Sequence, residues 1–325
     1  EVIVPSRTFV ATASAVAVRG ATPVFVDVDR DSQNITVETI EARITPRTRA
    51  VIAVHLAGWP CEMDDICDMA RRRGLKVIED CAQAHGAAWK GRPAGSFGDM
   101  SAFSFCQDKI LTTAGEGGMV VTNDRSLWET AWSFKDHGKS RRKMETPSPG
   151  ATFRYVHDSV GTNWRMTEIQ SAVGRVALRR LPEWVAKRRQ LASRLEASIR
   201  RHDVLRITAP PEHAFHSYYK YYTFLQTGRL RPEWTRDRIL NALQAEGIPC
   251  GSGTCPEIYR EGAFRDAPGR PEERFGTARE LGSTSLMFQV HPTLSPRDLD
   301  DVSTALDKVL DRASRETIPS RGEAA

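Results

Sequence analysis

Three segments of this sequence gather side chains that can do chemistry. In VIEDCAQAHGA, residues 77–87, an apolar run ends in Glu79 and Asp80, and Gln83 and His85 follow at once. In SFCQDKILTTAGEGG, residues 104–118, Ser104 stands five residues before Lys109, and a Gly-Glu-Gly-Gly turn closes the segment. In PSRTFVAT, residues 5–12, Phe9 comes just after the first apolar run. Only nine of the 46 basic residues are lysines, so a lysine in an apolar, glycine-rich setting stands out.

Each residue type has a definite use. A lysine amine condenses with an aldehyde to a Schiff base, and burial lowers its pKa so that the free base exists near neutrality. A carboxylate opposite a pyridine nitrogen keeps that nitrogen protonated and the ring an electron sink. Ser104 can bond a phosphate and Phe9 can stack on a ring. Together they form the smallest set that holds pyridoxal phosphate. Each also has a plainer reading: Asp80 as a helix N-cap, Lys109 as a solvated side chain, Phe9 as core. The residues alone leave both readings standing.

The elements that must position these groups follow from hydrophobic period. Short apolar, mostly β-branched runs at 3–4, 23–28, 50–54, 75–79, 100–104 and 119–122 predict strands, and amphipathic stretches at 10–19, 37–44 and 63–73 predict helices between them. Alternation of this kind predicts an α/β fold with a mostly parallel sheet and helices on both faces. Ligands of such sheets bind beyond the carboxyl ends of the strands, where the three segments fall. Residues 139–160 are polar and broken by Pro147, Pro149 and Gly150, which predicts a long surface loop. A long helix is expected over 167–202, ended or kinked at Pro182. A strand at 216–225 and helices at 235–246 and 296–312 predict a smaller C-terminal α+β domain. We expect a large domain over 1–195, a small one over 196–313 and a frayed tail over 314–325.

Composition narrows the class. At 325 residues, 40% hydrophobic and 27% charged, the chain matches a soluble globular protein of about two domains. Its net charge of +5 is spread along the chain and gives no ground for a nucleic-acid partner. The six cysteines, Cys61, Cys67, Cys81, Cys106, Cys250 and Cys255, match neither a disulfide framework nor the paired spacings of a zinc site, so free thiols and no metal are expected. No apolar run reaches bilayer-spanning length and the start is not a signal peptide, so no membrane partner and a cytoplasmic location are expected. No G-x-G-x-x-G follows an early strand, which argues against a nicotinamide dehydrogenase.

The three segments, with ATPVFVDVD (21–29), ITPRTRAVIAVHLAGWP (44–60) and NWRMTEIQSAVG (163–174), resemble the DegT/DnrJ/EryC1/StrS sugar aminotransferases, pyridoxal-phosphate enzymes of fold type I. The resemblance runs from residue 1 to about residue 312. It implies that Lys109 is the Schiff-base lysine and Asp80 the partner of the pyridine nitrogen. It further implies Gln83 near the ring's phenolic oxygen, Ser104 on the phosphate and Phe9 stacked on the ring. Asn163 would reach across a homodimer interface to the phosphate held mainly by the other subunit. His85 and His137 lie in family-like segments without an assigned role. Family members usually begin further upstream, in a stretch with a Gly-Thr pair at a helix N-terminus that binds the phosphate through backbone N–H groups, so this chain is expected to be a fragment or a truncated paralogue.

The implied reaction moves an amino group from L-glutamate to a keto group of a nucleotide-diphosphate sugar, in amino-sugar biosynthesis. Lysine at position 109 argues against the dehydratases of the family, which carry histidine there. A cyclitol acceptor, or a truncated non-catalytic homologue acting as a partner or regulator, are the alternatives.

Overall fold

Apolar runs of four or five residues become the strands of a central sheet, because only the sheet's interior leaves both faces of such a run dry. The computed structural model describes residues 1–147, 150 and 153–315. Its first half places strands β1 (Val2–Pro5), β2 (Pro23–Val26), β3 (Ala50–Val54) and β4 (Lys76–Asp80), then the short pair β5 (Ala88–Trp89) and β6 (Arg92–Pro93), then β7 (Met100–Ser104) and β8 (Gly118–Val121). The main sheet has the order β2-β1-β3-β4-β7-β8. Its first five strands are parallel, and β8 runs antiparallel to β7 at the edge. Every residue of β2 and β3 is buried, whereas edge strand β8 leaves Met119 and Val120 exposed.

Helices α1 (Ala11–Val18), α2 (Val37–Glu41) and α3 (Met63–Arg73) connect the parallel strands. In α3, Met63, Ile66, Met69 and Ala70 form the buried face at helical spacing. Asp64 and Asp65 lie in its first turn and Arg71 to Arg73 in its last, where charge of each sign meets the helix dipole for about 0.3–1 kcal/mol apiece. Gly74, at φ 66°, takes the left-handed turn that ends it.

Beyond β8 come α4 (Arg125–Lys135), α5 (Arg141–Glu145), α6 (Glu168–Ile199), β9 (Leu205–Ile207), β10 (Ala214–Phe215), β11 (Tyr221–Leu225), α7 (Arg236–Ala245), β12 (Cys250–Gly251), α8 (Gly276–Thr284), β13 (Ser285–Phe288) and α9 (Pro296–Ala313). Strands β12, β13, β11 and β9 form an antiparallel sheet. A second core fills its covered face, with Leu191, Leu195 and Ile199 of α6 against Leu243, Leu306, Leu310 and Phe288. Helix α6 therefore serves both halves: its earlier Ala177 packs with Phe105 and Leu111 beside the main sheet.

The parallel sheet and most elements lie where the sequence predicts them, with four differences. Helix α6 runs unbroken through Pro182, which is exposed, as is Leu178 one turn earlier, so water can serve the carbonyl that the missing N–H leaves free. The strand expected from 216 begins only at Tyr221, since Tyr218 adopts φ 49° and turns the chain. Within the expected loop, Ser140 starts the short helix α5. Of the expected tail, Ser314 and Arg315 are pinned by backbone hydrogen bonds to Leu310 and Arg229, and 316–325 lie outside the described residues. Helices α4 and α8 and strand β13 carry no strong sequence signal. All six cysteines are free, and among the described residues no helix is long and apolar enough to cross a membrane.

Candidate active site

The carboxyl ends of β1, β4 and β7 lie on one side of the sheet, and they carry the residues singled out above. Asp80 is the last residue of β4, in register with Val54 of β3 and Ala102 of β7. Its Oδ2 accepts a hydrogen bond from Thr12 Oγ1 at 2.9 Å and its Oδ1 one from the Ala82 N–H at 3.1 Å. Thr12 is contributed by the first turn of α1, and its hydroxyl lies 3.2 Å from that of Thr8. Because Thr12 spends its proton on Asp80, Thr8 is the donor to Thr12. The relay Thr8 to Thr12 to Asp80 satisfies the carboxylate without a cation.

Phe9 caps the same edge. Its neighbours Arg7 and Thr8 are buried, yet Phe9 is 64% exposed, and its carbonyl accepts from the Thr12 N–H. A large ring left standing open one turn from Thr12 is a face that a planar ligand can cover. Gln83 Oε1 accepts from the Ala57 N–H at 2.8 Å, which leaves its amide donors free. The main chain packs closely here: a Cβ on Gly58, at φ +93°, would fall 2.5 Å from Ser217 Oγ and 3.1 Å from the Gln83 carbonyl.

Ser104 ends β7 and accepts from the Cys106 N–H at 3.3 Å, so its own proton remains available. Lys109 follows on a loop anchored by Ile110, packed on Val185 and Tyr219, and by Leu111, packed on Phe105 and Ala177. That anchoring holds the lysine at 17% side-chain exposure, with Nζ 3.3 Å from Asp108 Oδ1 and 5.1 Å from the centre of the Tyr219 ring. Asp108 Oδ2 accepts from the Tyr219 hydroxyl. Burial pushes the Asp108 pKa up, but the Tyr219 hydrogen bond and the Lys109 charge outweigh it and hold the group below the ordinary carboxylate value.

Asn163 lies apart from this group. It is exposed, bridges Asp136, and accepts from Arg165 Nε at 3.0 Å. His85 is buried against Phe103 and Phe105 with neither ring nitrogen bonded, and burial lowers its pKa to about 4, so it is an uncharged core residue at neutral pH. His137 is exposed on a turn at φ 61°.

Beneath Asp80 lies a fully buried carboxylate, Glu79. Its Oε1 accepts from the Phe97 and Gly98 N–H groups, both at 2.7 Å, and its Oε2 from Gly95 N–H at 2.7 Å and His55 Nε2 at 3.1 Å. His55 Nδ1 accepts from the Cys61 N–H at 3.0 Å, so the ring proton is on Nε2 and the histidine donates to Glu79. Burial alone would raise the Glu79 pKa, yet the His55 hydrogen bond and the Gly98 and Gly95 N–H groups bring it below its ordinary value. The ligand atoms of His55, Glu79 and Cys81 all lie within 4.8 Å of one another, but four donors already occupy the carboxylate, so the group is a hydrogen-bonded staple for the segment after β4.

The chain as a whole is similar to known proteins. The model of the DegT/DnrJ/EryC1/StrS aminotransferase family matches residues 1–307. The chain belongs to that family. GDP-perosamine synthase of Caulobacter vibrioides is 37% identical over 312 residues, 95% of this chain and 79% of the relative. GDP-perosamine synthase of Escherichia coli O157:H7 is 39% identical over 233 residues, 72% of this chain and 60% of the relative's own length. A crystal structure of an aminotransferase from Psychrobacter cryohalolentis superimposes with a TM-score of 0.92 at 47% identity, over 95% of this chain and 80% of that one. Within this aminotransferase chain, the residues that sequence reasoning missed are Thr8, Thr12, Asp108 and Tyr219. Thr8 and Thr12 stand one helical turn apart, which is a readable signal, and Asp108 directly precedes the lysine. Tyr219 is 110 positions from Lys109, and only the fold joins them.

Proposed function

We propose that the chain holds pyridoxal 5′-phosphate at the ends of β1, β4 and β7 and moves an amino group from L-glutamate to a keto group of a nucleotide-diphosphate sugar. The observation that carries this reading is that Asp80, fixed by Thr12 at the end of β4, and Lys109, anchored on the loop after β7, follow neighbouring parallel strands. The donor set fits the cofactor: an amine, a carboxylate to keep a ring nitrogen protonated, a serine hydroxyl with a free proton, an amide and an open aromatic face. When bound, the cofactor supplies an electron sink for the carbon that bears the amino group.

The chain's own residues do the rest. Lys109 Nζ would be the amine that condenses with the cofactor's aldehyde, losing water, and as a free amine it would carry a proton from and back to the donor's carbon skeleton, a positioned transfer worth about 10²- to 10⁴-fold. Asp80 would hold the proton on the ring nitrogen. Ser104 would donate to the phosphate, Gln83 to the phenolic oxygen, and Phe9 would stack on the ring. The names of the relatives, GDP-perosamine synthases, support a nucleotide-linked sugar as acceptor. In this reading the large domain over 1–195 carries the site, and Tyr219 of the small one, over 196–313, touches it through Asp108.

In the same reading the active protein is a homodimer, with Asn163 serving the partner's phosphate site. Its support is the first half of α6, where Ile169, Val173 and Val176 form an exposed apolar stripe at i, i+4 and i+7, near exposed Trp164. Apolar patches left on a surface mark interaction sites.

The decisive test is borohydride reduction of the protein with pyridoxal phosphate, followed by peptide mapping. The reduced adduct is expected on the peptide holding Lys109 and is expected to vanish in Lys109→Ala. An adduct that persists in that variant assigns the lysine wrongly. A panel of nucleotide ketosugars with glutamate, read by mass spectrometry, then names the acceptor.

A further inference from the structure

Two contacts of the Asp108 carboxylate face different parts of the molecule. Oδ1 lies 3.3 Å from Lys109 Nζ, and Oδ2 accepts from the Tyr219 hydroxyl. Tyr219 is itself immobilised: its N–H donates to the Ala57 carbonyl at 2.7 Å, and its carbonyl accepts from Arg188 Nη1 at 3.2 Å. The left-handed Tyr218, at φ 49°, bends the chain immediately before it. The phenol therefore reaches Asp108 from a main chain tied to both the β3 end and α6.

The other charged groups beside Asp108 and Tyr219 are mostly cationic. Lys220 Nζ lies 4.8 Å from the centre of the same Tyr219 ring and donates to Gln289 Oε1. The buried Arg188 guanidinium adds positive charge, and burial lowers its pKa to about 10. His291, whose burial lowers its pKa, faces Arg188 and Lys220, and His85 is uncharged. Glu116 is engaged with the Cys106 thiol at 3.3 Å. Asp108 is the carboxylate in contact with the lysine nitrogen, and it is placed there by a residue of the small domain's approach segment.

We propose that Asp108, fastened by the Tyr219 hydroxyl, is a positioning residue that holds the Lys109 ammonium in place and stabilises its positive charge. The inference rests on the reading of Lys109 as the reactive lysine. In that role the nitrogen must alternate between amine and ammonium, and a carboxylate at 3.3 Å favours the proton-carrying form at the stage when Lys109 holds a proton. Asp108 is 53% exposed, so water screens the attraction and the effect is modest.

The test is competitive labelling of the full chain, without added cofactor, by a trace of acetic anhydride across a pH series, with acylation of Lys109 quantified by peptide mass spectrometry. In Asp108→Asn, Lys109 is expected to label roughly two- to fivefold faster, because the carboxylate that engages its nitrogen is gone. Asp108→Glu, which keeps the charge, is expected to restore slow labelling. Asp108 is half exposed, so both variants keep the core, and thermal melts verify this. Equal labelling of the wild type and Asp108→Asn overturns the proposal. So does Asp108→Glu labelling as fast as Asp108→Asn, since the change then reflects lost packing rather than lost charge. The labelling is read without cofactor, so it stands or falls separately from the borohydride adduct: an adduct on another lysine removes Lys109's proposed role and leaves the Asp108 contact tested on its own.

Discussion

Thr12 Oγ1 donates to Asp80 Oδ2 at 2.9 Å, so a hydroxyl in the first turn of α1 fixes the carboxylate at the end of β4. The two residues are 68 positions apart, yet β1 and β4 are separated in the sheet only by β3. Replacing the hydroxyl by a methyl group, in Thr12→Val, conserves shape and leaves Asp80 without this donor. A hydrogen bond to a charged group is worth about 1.5–3 kcal/mol, which corresponds to about ten- to a hundredfold in rate if it is needed to orient Asp80 during turnover. We expect kcat/KM to fall by that factor while bound cofactor, measured by absorbance, is retained. Unchanged kcat/KM removes the relay from the mechanism.

Glu79 makes a prediction about acid. Its carboxylate in the folded protein lies below its ordinary value of 4.5, so the stability it contributes is fully present above pH 4.5 and is lost as pH falls through the folded-state value. Glu79→Gln keeps the shape but turns an amide N–H₂ toward backbone N–H groups, leaving buried donors opposed. Leaving a buried donor unsatisfied costs about 1–3 kcal/mol. Urea unfolding at neutral pH is expected to show a loss of that size. Below pH 4.5 the wild type should lose stability more steeply than the variant, and parallel acid limbs would show that Glu79 is not the titrating group.

How much of this was legible in the sequence depends on the distance over which each signal acts. The placement of Asp80 and Ser104 at strand ends, and of Phe9 and Lys109 on the segments after β1 and β7, could be read because local chain direction carries such residues to one end of the sheet. The parallel sheet could be read because β2 and β3, buried on both faces, leave uninterrupted apolar runs. Tyr219 could not be read, since its contact with Asp108 depends on how the 216–220 segment is tied to the turn after β3 and to α6. The same segment hid its turn at Tyr218, where the chain bends without a glycine and His216 stacks on the Tyr218 ring at 3.8 Å. Edge strand β8 was legible by its β-branched residues, but nothing local set its antiparallel direction.

Pro182 tests the energetics of an unbroken helix. A proline in a helix interior costs about 3 kcal/mol relative to alanine, and its stiffening of the unfolded chain returns about 0.4–1 kcal/mol. Because Pro182 is exposed and α6 continues through it, solvent relieves part of the remaining cost. Pro182→Ala is therefore expected to stabilise the protein by about 1–2 kcal/mol in denaturant unfolding, with no change in cofactor binding. A destabilised variant would mean that the ring's own packing, rather than helix continuity, dominates at this position.

The stripe on α6 tests the assembly. Ile169 is 79% exposed, and Val173 and Val176 continue its face toward the C-terminus. Thr167 and Gln170 cap the helix start reciprocally, so the exposed turns are well-formed helix and can be substituted without unfolding the core. If a second copy covers this face, Ile169→Asp with Val176→Asp places two charges in an apolar interface, where an unpaired charge costs several kcal/mol. Light scattering after size exclusion is then expected to show a dimer for the wild type and a monomer for the double variant. Because Asn163 precedes this helix and is assigned to the partner's phosphate, the monomer is also expected to retain less borohydride-fixed cofactor. A wild type that is monomeric at micromolar concentration, yet fully active, would place the complete phosphate site within one chain and leave Asn163 without its cross-subunit role.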